Sequence, residues 1–70
     1  MSEDIVGRKG RVTADIVPGG LGEIVVEVRG GTERFPARAS DVTIRIAKHT
    51  AVLVTGSLTG RTVEVAPFHS

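Results

Sequence analysis

Seventy residues hold one domain at most, and a chain this short buries only about 60% of its extended surface on folding, so its core is thin. With no cysteine and two histidines, neither a disulfide framework nor a histidine-built metal cage is available to reinforce it. Nine basic and eight acidic residues leave a net charge of +1, which does not call for nucleic acid or an anionic membrane, and 40% apolar content argues against disorder.

No apolar run approaches the roughly 20 residues needed to span a bilayer. The start, Met1-Ser2-Glu3-Asp4, is acidic and polar, unlike a secretory signal. It reads as a disordered lead-in over residues 1–4, followed by a single domain over 5–68.

The stretch Val6 to Arg29 organises the rest of the chain. In its first arm, Val6, Gly10, Val12, Ala14 and Ile16 share one parity, and Arg11, Thr13 and Asp15 share the other. Side chains switch face at every residue of a strand, so this alternation predicts a half-buried strand. Gly7 and Gly10 inside it predict a bulge or bend that lets one strand pair with two neighbours. Pro18-Gly19-Gly20 predicts a tight turn, because proline presets φ and glycine accepts positive φ. Ile24, Val26 and Val28 then alternate with Glu23, Glu27 and Arg29, which predicts a second strand and an antiparallel hairpin as the longest pairing. Gly30-Gly31 predicts the next hairpin turn.

Thr32 to Ala37 reads as a short third strand with Phe35 and Ala37 inward and Arg34 and Arg38 outward. Pro36 cannot donate to a ladder, which places that strand at an edge or ends it there. Ala39 to Lys48 carries two signals. Ser40-Asp41 suits a helix cap, whereas Val42, Ile44 and Ile46 alternate at strand period. The β-branched residues outweigh the cap, so an extended or short strand segment is expected. Ala51 to Leu58 predicts a strand with Val52 and Val54 inward and a bulge at Gly56. Thr59-Gly60 turns the chain. Arg61 to Ala66 predicts the last strand, with Val63 and Val65 inward and Pro67 as its stop.

Five main strands with a bent first strand and no helical stripe predict an all-β, five-stranded OB-fold-like barrel, since closure removes the exposed edges a small sheet would otherwise have. An SH3-like barrel has similar size and strand count and is the alternative. Val12, Ile16, Ile24, Val26, Val52, Val54, Val63 and Val65 are the expected core.

The phrases also resemble a known family. Val6-Gly7-Arg8-Lys9-Gly10-Arg11-Val12, Pro18-Gly19-Gly20 and Gly22 are similar to the opening of NfeD-like soluble domains. So is the middle, Arg34-Phe35-Pro36-Ala37-Arg38-Ala39. Ile46-Ala47-Lys48-His49-Thr50, then Val52, Val54, Gly60, Val63, Val65 and Pro67, is similar to the family's close. His49 departs from the pattern at a turn position where the family often has glycine, and the Val42 to Ile46 run is more apolar than the family's. The resemblance implies an OB-fold domain carried by a membrane protein. It also implies association with flotillin- or stomatin-like membrane scaffolds, or with a membrane protease whose activity the domain regulates.

The residues themselves carry little chemistry. Gly7-Arg8-Lys9-Gly10-Arg11 lacks the spacing of a phosphate-binding loop and no helix follows it. An OB fold invites a nucleic-acid reading, which is the functional alternative, but such binding needs aromatic platforms and a basic groove. The chain has two Phe, no Tyr and no Trp. His49 and His69 have no evident third metal ligand. Ser40 and Ser57 have no nucleophile context, and the carboxylates show no paired arrangement. The expectation is therefore a non-enzymatic module that uses no cofactor and binds protein rather than nucleic acid. Arg29, Arg34, Arg38, Arg45 and Lys48 make the middle of the chain basic against Glu33 and Asp41. Arg34, Arg38, Arg45 and Lys48 are the expected partner-binding residues.

Overall fold

The computed structural model describes residues 5–68. The expected lead-in over 1–4 and His69 lie outside them. Five strands are present: β1 (Lys9–Ala14), β2 (Gly22–Val28), β3 (Gly31–Ala39), β4 (Ala51–Ser57) and β5 (Val63–Pro67). They close into a barrel in the order β1-β2-β3-β5-β4, with β4 returning to pair with β1. Every ladder is antiparallel except β3–β5, which is parallel over Ala37–Ala39 and Val63–Val65. This order with one parallel closure is the OB arrangement, and an all-antiparallel barrel would lack it. The barrel resolves the two sequence alternatives in favour of the OB-like fold.

The bend in β1 is built as the glycines imply. Gly10 pairs with Val26 on one side and with Val52 on the other. A Cβ at Gly10 would lie 2.8 Å from the Val25 carbonyl, so the backbones approach there as only glycine permits. Two positions of the predicted inward set are corrected. Val6 is 44% exposed, because Gly7 turns at a φ of +94° and Ile5 enters the core in its place. Ala14 is also exposed. The register slips by one residue between Val12 and Ala14, which sets Ala14 opposite the outward Glu23.

The Val17-Pro18-Gly19-Gly20 turn closes with the Gly20 amide donating to the Val17 carbonyl at 2.9 Å and Gly19 at a φ of +72°. The next turn is centred one residue earlier than expected, on Arg29-Gly30, since Gly31 already pairs with Val28. The longest pairing is β2–β3, running from Gly22↔Ala37 to Val28↔Gly31, and not β1–β2. β3 is correspondingly long at nine residues and passes through Pro36. Pro36 tolerates this because β3 starts to pair with β5 only at Ala37, so its missing donor falls on the unpaired side.

Of the extended or short strand segment expected over Ala39–Lys48, residues 41–43 form a turn instead and no ladder runs from Val42 to Ile46. Asp41 accepts from the Thr43 amide at 3.0 Å and the Thr43 hydroxyl at 2.7 Å. This local turn gives the backbone an alternative to a ladder and leaves Val42 48% exposed. Those two hydrogen bonds, the hydroxyl's first, hold the Asp41 carboxyl below its usual pKa. Only Ile46 keeps a strand-like contact, exchanging backbone bonds of 2.9 Å with Ile16. The register of β4 against β5 shifts between Val54 and Gly56, the bulge read from Gly56.

All eight expected core residues are at most 2% exposed. Phe35, Ala37, Ala39, Ile46 and Ile5 complete the interior. No polar or charged residue is buried among those described, so the polar chemistry lies on the outside of the barrel.

Candidate interaction surface

β3 is exposed over Gly31–Arg34 and alternates from Phe35 onward, and Arg34 and Arg38 leave its outer face at positions four apart. Across the ladder, Arg34 Nη1 lies 3.3 Å from Glu23 Oε1, and the same oxygen accepts from the Thr13 hydroxyl at 2.7 Å. Arg38 stands beside Glu64 in the parallel register, with Nη2 3.6 Å from Oε2. Its Nε is buried without a hydrogen-bond partner.

Arg45 and Lys48 sit on the β3–β4 connection, where Asp15 gathers them. Arg45 Nη1 lies 3.3 Å from Asp15 Oδ2, and the Lys48 backbone amide donates to Oδ1 at 2.7 Å. Glu23 pairs with Ala14, the neighbour of Asp15, so the two ion-paired groups lie near each other in sequence register at the end of β1. Three of the four expected residues, Arg34, Arg38 and Arg45, thus already face a carboxylate. These pairs are solvent-exposed and each contributes roughly 0–1 kcal/mol.

Sequence reasoning gives no partner-binding role to a different group, of which it counts only Arg29 as part of the basic middle. Arg8, Lys9, Arg11 and Arg29 pair with no carboxylate among the described residues. The Lys9 ammonium lies 4.9 Å from the centre of the Phe68 ring, and Arg11 Nη1 donates to the His49 carbonyl at 2.8 Å. The signal is present in Arg8-Lys9 and Arg11, but sequence alone reads these residues only as solvated charge flanking a bend.

A concave region lies between the β1–β2 and β4–β5 loops. Leu21, 59% exposed, and Leu58 flank it, Arg38 lines it, and Ser57, Thr59 and Thr62 supply hydroxyls. Among the described residues no cluster of His, Asp and Glu could hold a metal ion. No described helix is long and apolar enough to cross a membrane.

The β3–β4 connection closes on His49, whose φ of +81° makes it the one non-glycine at positive φ among the described residues. The position where the sequence departs from the family's glycine is therefore one where the backbone favours glycine.

No curated protein matches the chain. Two solved structures resemble the barrel closely. The soluble domain of the NfeD protein YuaF from Bacillus subtilis is 32% identical with a TM-score of 0.83, over 97% of this chain and 79% of that one. The C-terminal domain of stomatin operon partner protein 1510-C from Pyrococcus horikoshii is 29% identical with a TM-score of 0.75, over 97% of this chain and 94% of that one. The family model described as NfeD C-terminal domain matches residues 9–66, which takes in all five strands except the final Pro67 of β5, and on that extent the chain belongs to the NfeD C-terminal domain family.

Proposed function

We propose that this barrel is a non-catalytic interaction or assembly module of an NfeD-type membrane protein and that it docks a protein partner at a stomatin- or flotillin-like membrane scaffold. The observation that carries this reading is the likeness, over nearly the whole chain, to the C-terminal domain of a protein named as a stomatin operon partner. The surface chemistry supports it. The described residues present exposed arginines suited to carboxylate contacts and no gathered nucleophile, base or metal ligands. Regulation of a membrane protease would use the same docking chemistry.

The sequence-derived surface of Arg34, Arg38, Arg45 and Lys48 enters this proposal as an exchange site. A partner carboxylate there replaces an internal one, so net affinity is small while specificity of register is retained. A pull-down from membranes with the chain as bait tests the reading. Wild type is expected to recover a protein partner, and Arg34→Glu/Arg38→Glu to recover measurably less at unchanged melting temperature. Recovery of nucleic acid in place of protein would favour the OB-fold nucleic-acid alternative and overturn the module.

A further inference from the structure

We propose that the outer face of β1 and β2, together with the tip of the β2–β3 hairpin, is a docking groove for an extended acidic polypeptide segment. The inference rests on the interaction-module reading and gives that module a second, separate surface.

Lys9 and Arg11 share the outer face of β1, opposite Leu53 and Ala51 of β4, and Arg11 lies opposite Val25 of β2. Above them is a groove of about 610 Å³ whose apolar floor is Val25, Ala51 and Phe68. A second concavity of about 460 Å³ shares Glu27 and Thr32 with the first and extends to Arg8 and Arg29 at the hairpin tip. Four cations without an internal ion-pair partner among the described residues thus line a path that holds one carboxylate, Glu27. Elsewhere on the barrel Arg34, Arg38, Arg45 and Arg61 are each answered by a carboxylate, and Lys48 is an isolated ammonium whose backbone amide alone meets Asp15, so among the described residues only the groove gathers several free cations. The groove is therefore where positive potential stays available to steer a partner.

The shape and charge order select the ligand class. Arg11 spends one N–H on the His49 carbonyl and keeps the rest of its fork free for a carboxylate. An extended peptide sends alternate side chains one way, so carboxylates can meet the two cationic ends while a neutral residue covers Glu27 and the apolar floor. A phosphodiester strand carries a charge at every unit and cannot skip Glu27. The groove's one aromatic, Phe68, already carries Lys9 on its ring. A flat bilayer surface would not reach the recessed floor.

Fluorescence anisotropy with a labelled ten-residue peptide of glutamates interspersed with leucines tests this, against a glutamine-for-glutamate version. The acidic peptide is expected to bind and the neutral one to bind at least about tenfold more weakly, with affinity falling as salt rises. Lys9→Glu/Arg11→Glu should weaken binding about tenfold or more, and Glu27→Gln should tighten it several-fold, whereas Arg34→Glu/Arg38→Glu should change it by less than about threefold. Circular dichroism checks that each variant is folded, and Arg11→Gln at two salt concentrations serves if the double reversal is not. Equal affinity for both peptides, equal loss in both double variants, or tighter binding of an oligothymidine or of phosphatidylserine vesicles would overturn the groove. Failure here with membrane pull-down intact removes the groove alone; failure of both removes the interaction module.

Discussion

At the residue scale, His49 shows what a departure from pattern means physically. Its amide donates to the Val12 carbonyl at 2.8 Å and its own carbonyl accepts from Arg11, so the turn is pinned to β1 from both sides. The pinning holds an L-residue with a Cβ at a φ of +81°, where left-handed backbone costs about 1–2 kcal/mol. His49→Gly removes that strain and returns part of the gain as unfolded-state entropy, about 0.4–1 kcal/mol. The net expectation is a stabilisation of about 0.5–1 kcal/mol, read as a higher urea midpoint at unchanged slope. A lower midpoint would show that the imidazole makes a contribution larger than the strain. The position was legible in the sequence because the resemblance to NfeD-like domains sets His49 at a turn position where that family often has glycine. The two hydrogen bonds that hold it were not, since Val12 and Arg11 lie far away along the chain.

At the scale of the element, β3 carries the barrel's weak point. Val28↔Gly31 closes a two-residue turn, so in β3 residues 31, 33 and 35 direct their backbone groups to β2, and Thr32, Arg34 and Pro36 direct theirs away. β5 covers that side only from Ala37 onward. The exposed groups ahead of it are a strand edge of the kind that recruits other chains. Arg61, entering from the β4–β5 turn, closes it. Nη2 donates to the Arg34 carbonyl at 2.8 Å, Nη1 lies 3.7 Å from Glu33, and the guanidinium sits 4.7 Å above the Phe35 ring. Arg61→Ala is expected to cost only about 1 kcal/mol, because the pair is exposed. It should raise the fraction of larger species in sedimentation velocity as concentration increases. A concentration dependence identical to wild type would contradict the guarding role. The strand and the outward Pro36 were readable from alternation. The length of β3 and the free edge were not, because they depend on where a parallel partner from the far end of the chain begins.

For the whole molecule, the same distinction decides which charges matter. Period-two alternation identified each core valine correctly, since burial in a strand is a local property. It failed where local geometry interrupts the period: at the Gly7 turn, at the bulge before Ala14 and at the Asp41 turn. Counting charges along the chain pointed to the middle as the basic surface. Tertiary register redistributes that surface, because Arg38 meets Glu64, Arg45 meets Asp15 and Arg34 meets Glu23 only after the barrel has closed. What stays uncompensated among the described residues, apart from the single ammonium of Lys48, is the strip on β1 and the hairpin tip. The most direct test of a partner-docking barrel is therefore a residue-resolved one: amide chemical-shift mapping of the isotope-labelled chain during titration with the acidic peptide. Shifts should concentrate at Lys9, Arg11, Val25, Glu27, Thr32 and Phe68 and saturate together. Shifts centred on Leu21 and Leu58, away from the groove, or none on any face, would contradict the account.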